Sequence, residues 1–327
     1  MNILFVTSMH PTARFPKRGV VVLRLASALR ERGHRVDVLE LGDSGGPWRY
    51  LAARPAVAAA VRRLGADVVH VHFGYSGLAL PCLKVPVVTS FNGDDLNGTW
   101  KLSGGLTFKS RLGILVSQAV AIRSKACIVV SAALRDRLWT ETLRRKTLVI
   151  RDAVDPRMFV PRAQREARER LGVSMDDRLV LFPHDASQAT KRLWLAEEAV
   201  EALRATVPTA RLWVVNDKPP DEMPSYYAAA DALIITSAQE GGPSSAKEAL
   251  ACGLPVVTVA AGDTDLLTEV PDATFLSAET SDALASALLR AFAVSAEPRR
   301  CRLPSHLMLS AAAERIEQVY RLAVTHA

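Results

Sequence analysis

Ala232-Leu-Ile-Ile-Thr-Ser-Ala-Gln-Glu-Gly-Gly-Pro-Ser-Ser-Ala-Lys-Glu-Ala-Leu-Ala-Cys-Gly-Leu-Pro-Val-Val257 joins a short apolar run to a glycine turn and then to a helix-like stretch. The run Ala232 to Thr236 has the length and composition of a buried parallel strand. Gly241, Gly242 and Pro243 turn the chain, and Ser244 or Ser245 is expected to cap the helix that follows. Glu240 then falls in the loop and Glu248 near the second helical turn, with seven residues between them. Strand, turn and helix in this order make the repeating unit of a parallel α/β sheet, whose ligands gather at the C-terminal ends of the strands.

The same alternation runs through the chain. Apolar runs at 3–6, 36–41, 68–71, 87–91, 128–130 and 148–150 punctuate the first half, with a helical stretch at 21–32 ended by Gly33. Runs at 179–182, 212–215, 232–236, 255–259 and 274–276 repeat the scheme in the second. Each is rich in Val and Ile and separated from the next by helical spacing, which predicts parallel sheets covered on both faces. The 327 residues exceed the ~250–300 that a single core organises, so two Rossmann-like halves are expected. The segment 151–162, with Asp155-Pro156 and Pro161, reads as a linker. The expected domains are 1–155, 156–308 and a last helical segment, 309–327.

A helix start carries exposed N–H groups and a partial positive charge, so a phosphate fits between Glu240 and Glu248, against the amides near Ser244 and Ser245. The two carboxylates must then hold neutral, hydroxyl-rich groups. A nucleotide sugar has that distribution, with a sugar on one side of its diphosphate and a ribose on the other.

Glu240 to Glu248, followed by Ala251-Cys-Gly-Leu-Pro-Val-Val257, resembles the E-x7-E signature of glycosyltransferase family 4, retaining enzymes of the GT-B fold. With Lys247, the motif is similar to the branch that builds bacterial surface polysaccharides of the teichuronic acid type. Met1 to Pro11, Val69 to Gly77, Thr89 to Leu96, Val149 to Asp155 and Tyr226 to Leu233 fall in the family's order, so the resemblance covers nearly the whole chain. It implies an α/β GT-B fold, two Rossmann-like domains facing a central cleft, with the last helix crossing back onto the first domain. It also implies a hexosyltransferase that uses a nucleoside diphosphate sugar as substrate, with no cofactor and no metal. By resemblance Glu240 anchors the donor sugar, Gly241 and Gly242 permit close backbone approach, the Ser244 and Ser245 amides face phosphate, and Glu248 binds ribose. Lys191, followed by Arg192, matches the family's basic residue at the diphosphate, and Gly19 matches its phosphate loop. His72 and Asn92 match positions near the reaction centre.

Three departures stand out. Gly19 is one glycine where many relatives have two. The arginine usual before Lys191 is missing from Pro183 to Thr190, so either Arg192 or His184 substitutes or the diphosphate has one charged contact fewer. Asn92 replaces a histidine, and an amide cannot titrate near neutrality. These departures keep a non-catalytic nucleotide-sugar-binding partner open as an alternative, and the fold is also used by nucleotide-sugar epimerases. Donor hydrolysis or transfer by the purified chain separates an enzyme from a binding partner.

Residues 1–160 carry 24 Lys and Arg against 11 Asp and Glu, whereas residues 161–327 carry 17 against 23. The excess of +13 in the first half points to an acidic partner, such as an anionic lipid surface, a lipid-linked acceptor or an acidic glycan. The stretch Leu112 to Ile122 between basic flanks reads either as a helix lying on a bilayer, in peripheral membrane contact, or equally as a buried helix. Nucleic acid fits poorly, because aromatics are 6% of residues and no RNP strand, zinc finger or helix-turn-helix is present. No run of 18 apolar residues exists and Met1 leads directly into the first strand, so the expected location is cytoplasmic, at most peripheral to the inner face of the membrane. Cys82, Cys127, Cys252 and Cys301 are widely spaced and are expected as buried reduced thiols. Asp263-Thr-Asp265 is assigned to a helix start rather than to metal. His70 and His72 are expected on opposite faces of their strand, with His72 toward the ligand end. Asp94 and Asp95 either orient an acceptor hydroxyl or cap a helix.

Overall fold

The computed structural model describes residues 1–12, 18–42, 46, 48–98, 105–216, 218–240, 242–261, 269–295 and 298–325. The chain forms two compact units. One comprises Met1–Asp152 with Leu309–Ala327, the other Ala153–Met308.

The first unit is built on strands β1 (Asn2–Thr7), β2 (Arg35–Glu40), β3 (Val68–His72), β4 (Val87–Phe91), β5 (Ala126–Val129) and β6 (Thr147–Val149), in the order β2-β1-β3-β4-β5-β6. All these pairings are parallel, with Ile3 opposite Val36 and Val68. Helices α1 (Val20–Glu31), α2 (Trp48–Ala52), α3 (Arg54–Leu64), α4 (Asp94–Asn97), α5 (Phe108–Arg123), α6 (Ala132–Asp136) and α7 (Glu141–Arg145) connect them. Every residue of β3 is buried, as expected of a central strand covered on both faces. Helix α5 seats closely on the turn Gly74–Ala79. A Cβ at Gly74 would lie 2.0 Å from Ser117 Oγ, and one at Gly77 2.5 Å from Val120.

The second unit holds α8 (Gln164–Leu171), β7 (Arg178–Phe182), α9 (Leu193–Arg204), β8 (Ala210–Val214), α10 (Met223–Ala229), β9 (Ala232–Ile235), α11 (Ser244–Ala251), β10 (Val256–Val259), β11 (Thr274–Ser277) and α12 (Ser281–Val294). Its parallel sheet runs β11-β10-β9-β7-β8. Two apolar cores sit on its two faces. One includes Leu233, Ile235, Leu250 and Val256, the other Ala232, Ile234, Val257 and Leu288. Consecutive residues of β9 and β10 thus point to opposite cores, which is why these strands read as unbroken apolar runs.

Helix α13 (Leu309–Thr325) belongs to the first unit. It buries Ile316, Val319 and Tyr320, packs on α1, β3 and β4, and places the Tyr320 hydroxyl on His70 Nδ1. Glu317 accepts from Arg32 Nε at 2.8 Å and from Arg321, and these bonds bring its carboxyl down to about 2. No helix of the described residues is long and apolar enough to cross a membrane. The cysteines are free. Cys127 and Cys252 are buried, and burial pushes their thiols up to about 11 and about 12, but Cys82 and Cys301 are exposed, against the expectation that all four are buried.

Candidate active site

In the second unit the chain leaves β9 through Thr236 and Ser237, both fully buried, and enters α11 at Ser244. The expected serine cap is corrected. Pro243 occupies the N-cap position with no side-chain capping bond, and Ser244 and Ser245 are the first two helical residues. The proline side chain carries no oxygen to cap with, and the serine hydroxyls lie past the position from which a cap reaches forward to the N2 or N3 amide. Ala246 N donates to Pro243 O at 3.2 Å, while the N–H groups of Ser244 and Ser245 precede the first helical bond, so α11 presents donors and the positive end of its dipole. Gly242 is described and partly buried; Gly241 and Asp263-Thr-Asp265 lie outside the described residues.

The loop preceding α9 is stitched to the exit of β9. Ala238 N donates to Thr190 O at 2.8 Å, and Thr236 Oγ1 lies 2.8 and 3.0 Å from the carbonyl oxygens of Lys191 and Arg192. Arg192 takes a left-handed backbone, φ 51° and ψ 53°, a conformation costing a non-glycine residue about 1 kcal/mol or more. Its own guanidinium holds the strained turn from the other side, with Nε donating to Thr236 O.

This stitching brings Lys191 to Glu240. Nζ lies 2.7 Å from Oε1, with the side chains 17% and 11% exposed. Arg192 takes a different direction from that expected of a diphosphate ligand. Its terminal nitrogens form a two-pronged pair with Glu279, at 2.7 and 3.1 Å, and hold that carboxyl below its ordinary range. The guanidinium is thereby directed at Glu279 and the Thr236 carbonyl, and Lys191 is the cation beside Glu240. The His184 ring packs edge-on against Phe182.

Eight residues along from Glu240, Glu248 accepts a 2.9 Å hydrogen bond at Oε2 from the hydroxyl of Tyr227, buried on α10. Tyr227 was not singled out by sequence reasoning. A tyrosine one turn before a strand reads as core, and only the structure shows its hydroxyl aimed at the carboxylate. Among the described residues no group of three or more His, Cys, Asp or Glu could hold a metal ion.

The other candidate residues lie in the first unit. Gly19 precedes α1 with φ +70°, and a Cβ there would fall 2.1 Å from Met9 O, so the close approach of two backbone segments already demands glycine. Asn92 follows β4. Its N–H and that of Gly93 donate to Asp95 Oδ1 at 3.2 and 3.0 Å, and Gly74 N donates to Oδ2 at 3.3 Å. Asp95 therefore pins the Asn92 loop to the turn after β3. Burial pushes its carboxyl up to about 6, although the backbone donors pull the other way.

His72 ends β3 and is buried, and burial pushes its imidazole down to about 3. The expectation for the histidine pair is corrected. The rings of His70 and His72 lie against each other on one face, with centroids 4.0 Å apart and planes inclined at 37°, because residues two apart on a strand point the same way. His70 sits between the hydroxyls of Tyr320 and Ser90, the latter at 2.7 Å. His72 Nε2 makes no hydrogen bond among the described residues.

Comparison with known proteins now bears on these features. Residues 19–157 match the model for Glycosyltransferase Family 4, and residues 191–293 match that for Glycosyl transferases group 1. The chain belongs to glycosyltransferase family 4. Both acidic residues of the E-x7-E motif, Glu240 and Glu248, lie inside the second match, which begins at Lys191. TuaC of Bacillus subtilis, named as a teichuronic acid biosynthesis glycosyltransferase, is 24% identical over 263 residues, which are 75% of this family 4 chain and 66% of TuaC. Sucrose-phosphate synthase from Thermosynechococcus elongatus has the same fold, with a TM-score of 0.77 over 100% of both chains at 17% identity. HepE of Anabaena, solved with UDP and glucose, gives 0.67 over 98% of this chain and 99% of its own, at 17% identity. Two parallel α/β units with these neighbours make a GT-B fold.

Proposed function

We propose that the chain transfers a hexosyl group from a nucleoside diphosphate sugar to an acceptor hydroxyl with retention of configuration, in the assembly of a cell-surface polysaccharide. The observation that carries this reading is the Lys191–Glu240 pair beside the uncapped start of α11, with Glu248 one turn further along that helix. Membership of family 4 and the likeness to TuaC support the class of reaction and the polysaccharide role.

Departure of the diphosphate builds negative charge on the leaving oxygens while the sugar becomes oxocarbenium-like. Such a reaction is accelerated by fixed positive charge at the diphosphate more than by a strong base. Lys191 and the first-turn amides of α11, those of Ser244 and Ser245, supply that charge without a metal ion. Glu240 holds hydroxyls of the transferring sugar, and Glu248, oriented by Tyr227, holds the ribose. Gly241 and Gly242 leave room for the backbone to approach phosphate, and Gly19 lets the start of α1 close on the Met9 backbone beside the same phosphates. Asn92 and His72 hydrogen-bond the sugar. Neither transfers a proton near neutrality, since Asn92 is an amide and burial keeps the His72 imidazole uncharged down to about pH 3. The reaction is placed in the cytoplasm, where the four free cysteines remain reduced.

Thermal-shift measurements against UDP-, GDP- and dTDP-sugars test the reading, since a donor at about 100 times its Kd adds ~2.7 kcal/mol of stability. One donor is expected to raise the melting temperature and then to be consumed on addition of an acceptor. A panel with no stabilising member rejects the reading. Asn92 and the direction of Arg192 favour one second reading, a nucleotide-sugar-binding partner without turnover. A donor that binds but is neither hydrolysed nor transferred establishes it.

A further inference from the structure

Helix α5 has two apolar faces, and the first unit covers one of them. Inward, Gly113, Ser117, Val120 and Ala121 are buried, next to the turn Gly74–Ala79. Outward, Phe108, Leu112, Leu115, Ala119 and Ile122 are all exposed, Phe108 by 83% and Ile122 by 66%. At 100° per residue these five positions fall within an arc of about 80°, and they run for about 21 Å along the helix. Arg111 and Arg123, both exposed, lie roughly 60° to either side of the middle of that arc.

Two further observations concern charge. Residues 96–135 contain no Asp or Glu, while Lys101, Lys109, Arg111, Arg123, Lys125 and Arg135 fall among them. At the C-terminal end of α5 a cavity of about 510 Å³ is lined by Lys84, Arg123 and Lys125, together with Cys82, Leu83 and Val87. A narrow apolar ridge with bases on both flanks and no acidic side chain in the surrounding sequence matches a surface of one sign with an apolar interior. The basic flanks make that ridge complementary in charge to an anionic lipid surface.

We propose that the outer face of α5 lies in the headgroup layer of an anionic phospholipid bilayer. The Phe108-to-Ile122 ridge enters the boundary of the acyl chains, Arg111 and Arg123 pair with phosphates on either side, and the Lys84–Arg123–Lys125 cavity receives a lipid headgroup. A helix lying in the interface in this way buries its apolar side by about 5–10 Å, and each basic residue near the surface contributes about fivefold in affinity. The proposal stands independently of the transferase reading.

Sedimentation of the full chain with phosphatidylcholine vesicles, with and without 30% phosphatidylglycerol, tests it. Binding is expected to the acidic vesicles alone and to be lost in high salt. Leu115→Asp with Ile122→Asp should weaken binding at least tenfold, and Arg111→Gln and Arg123→Gln about fivefold each. All four positions are exposed, so melting temperature and nucleotide-induced stabilisation should match the wild type. Should the aspartate pair unfold the chain, Leu115→Ser with Ile122→Ser carries the same comparison. A wild type that stays in the supernatant with acidic vesicles at low salt overturns the proposal. So does undiminished binding by the folded ridge variants, or a wild-type dimer that these variants dissociate, which would give the face to a second copy of the chain.

Discussion

Replacing Lys191 by Met removes the cation from the Lys191–Glu240 pair and leaves a carboxylate that is 11% exposed beside the proposed diphosphate position. Two losses follow. A charge-assisted hydrogen bond to phosphate contributes about 1.5–3 kcal/mol, which corresponds to a 13- to 160-fold weaker Kd. Glu240, no longer neutralised at 2.7 Å, then repels the diphosphate. Lys191→Met should therefore lose more than the bond alone. The second loss has its own signature: Lys191→Met with Glu240→Gln should bind the nucleoside diphosphate more tightly than Lys191→Met does. Glu240→Gln alone should lower kcat by on the order of 10²–10³ while changing nucleotide Kd far less, because its assigned partner is the sugar. Calorimetric titration of the four proteins with the nucleoside diphosphate that stabilises the wild type provides the cycle. A Lys191→Met Kd within twofold of wild type would refute the reasoning, and strict additivity would remove the repulsion from it.

Three other outcomes are expected. Glu248→Ala should weaken nucleotide binding with little change in kcat, and Tyr227→Phe should do so to a smaller degree, since it removes the 2.9 Å bond that orients the carboxylate; an unchanged Kd with a collapsed kcat would reject the ribose role. Transfer should persist in EDTA, and its loss with rescue by manganese would replace Lys191 and the α11 start as the charge that stabilises the leaving group. Acid stability should depend on His72. Its folded value, about 3, lies below the unfolded 6.5, so the unfolded chain binds the proton first, and the stability present above pH 6.5 drains away as pH falls. His72→Gln should accordingly lose about 2 kcal/mol less than wild type between pH 7 and pH 5, measured by urea denaturation. Asp95, whose folded value is raised to about 6, works in the opposite direction below that pH and is common to both proteins. Equal acid losses would show that His72 is solvated.

Strands were legible because burial on both faces leaves a continuous apolar run. The expected 68–71 and 87–91 became Val68–His72 and Val87–Phe91. The loop position of Glu240 and the helical position of Glu248 also follow from strand, turn and helix taken in order. Partner choice among side chains was not legible. Arg192 and Glu279 are 87 residues apart, and the sequence offers no reason for the guanidinium to prefer that carboxylate to a phosphate. Asp95 was ambiguous because its partners are backbone N–H groups, which every residue but proline possesses. The serine cap failed by a single position, and the histidine pair failed through a misapplied two-residue period.

The first unit is discontinuous, and the interruption sets a timetable. Tyr320 and Glu317, which reach His70 and Arg32, are translated only after the 156 residues of Ala153–Met308. At about 5–20 residues per second that delay is roughly 8–30 s. For that time a nascent chain exposes the surface of α1, β3 and β4 that α13 later occupies, while the second unit is still being synthesised. The half that is made first is therefore the half that is finished last.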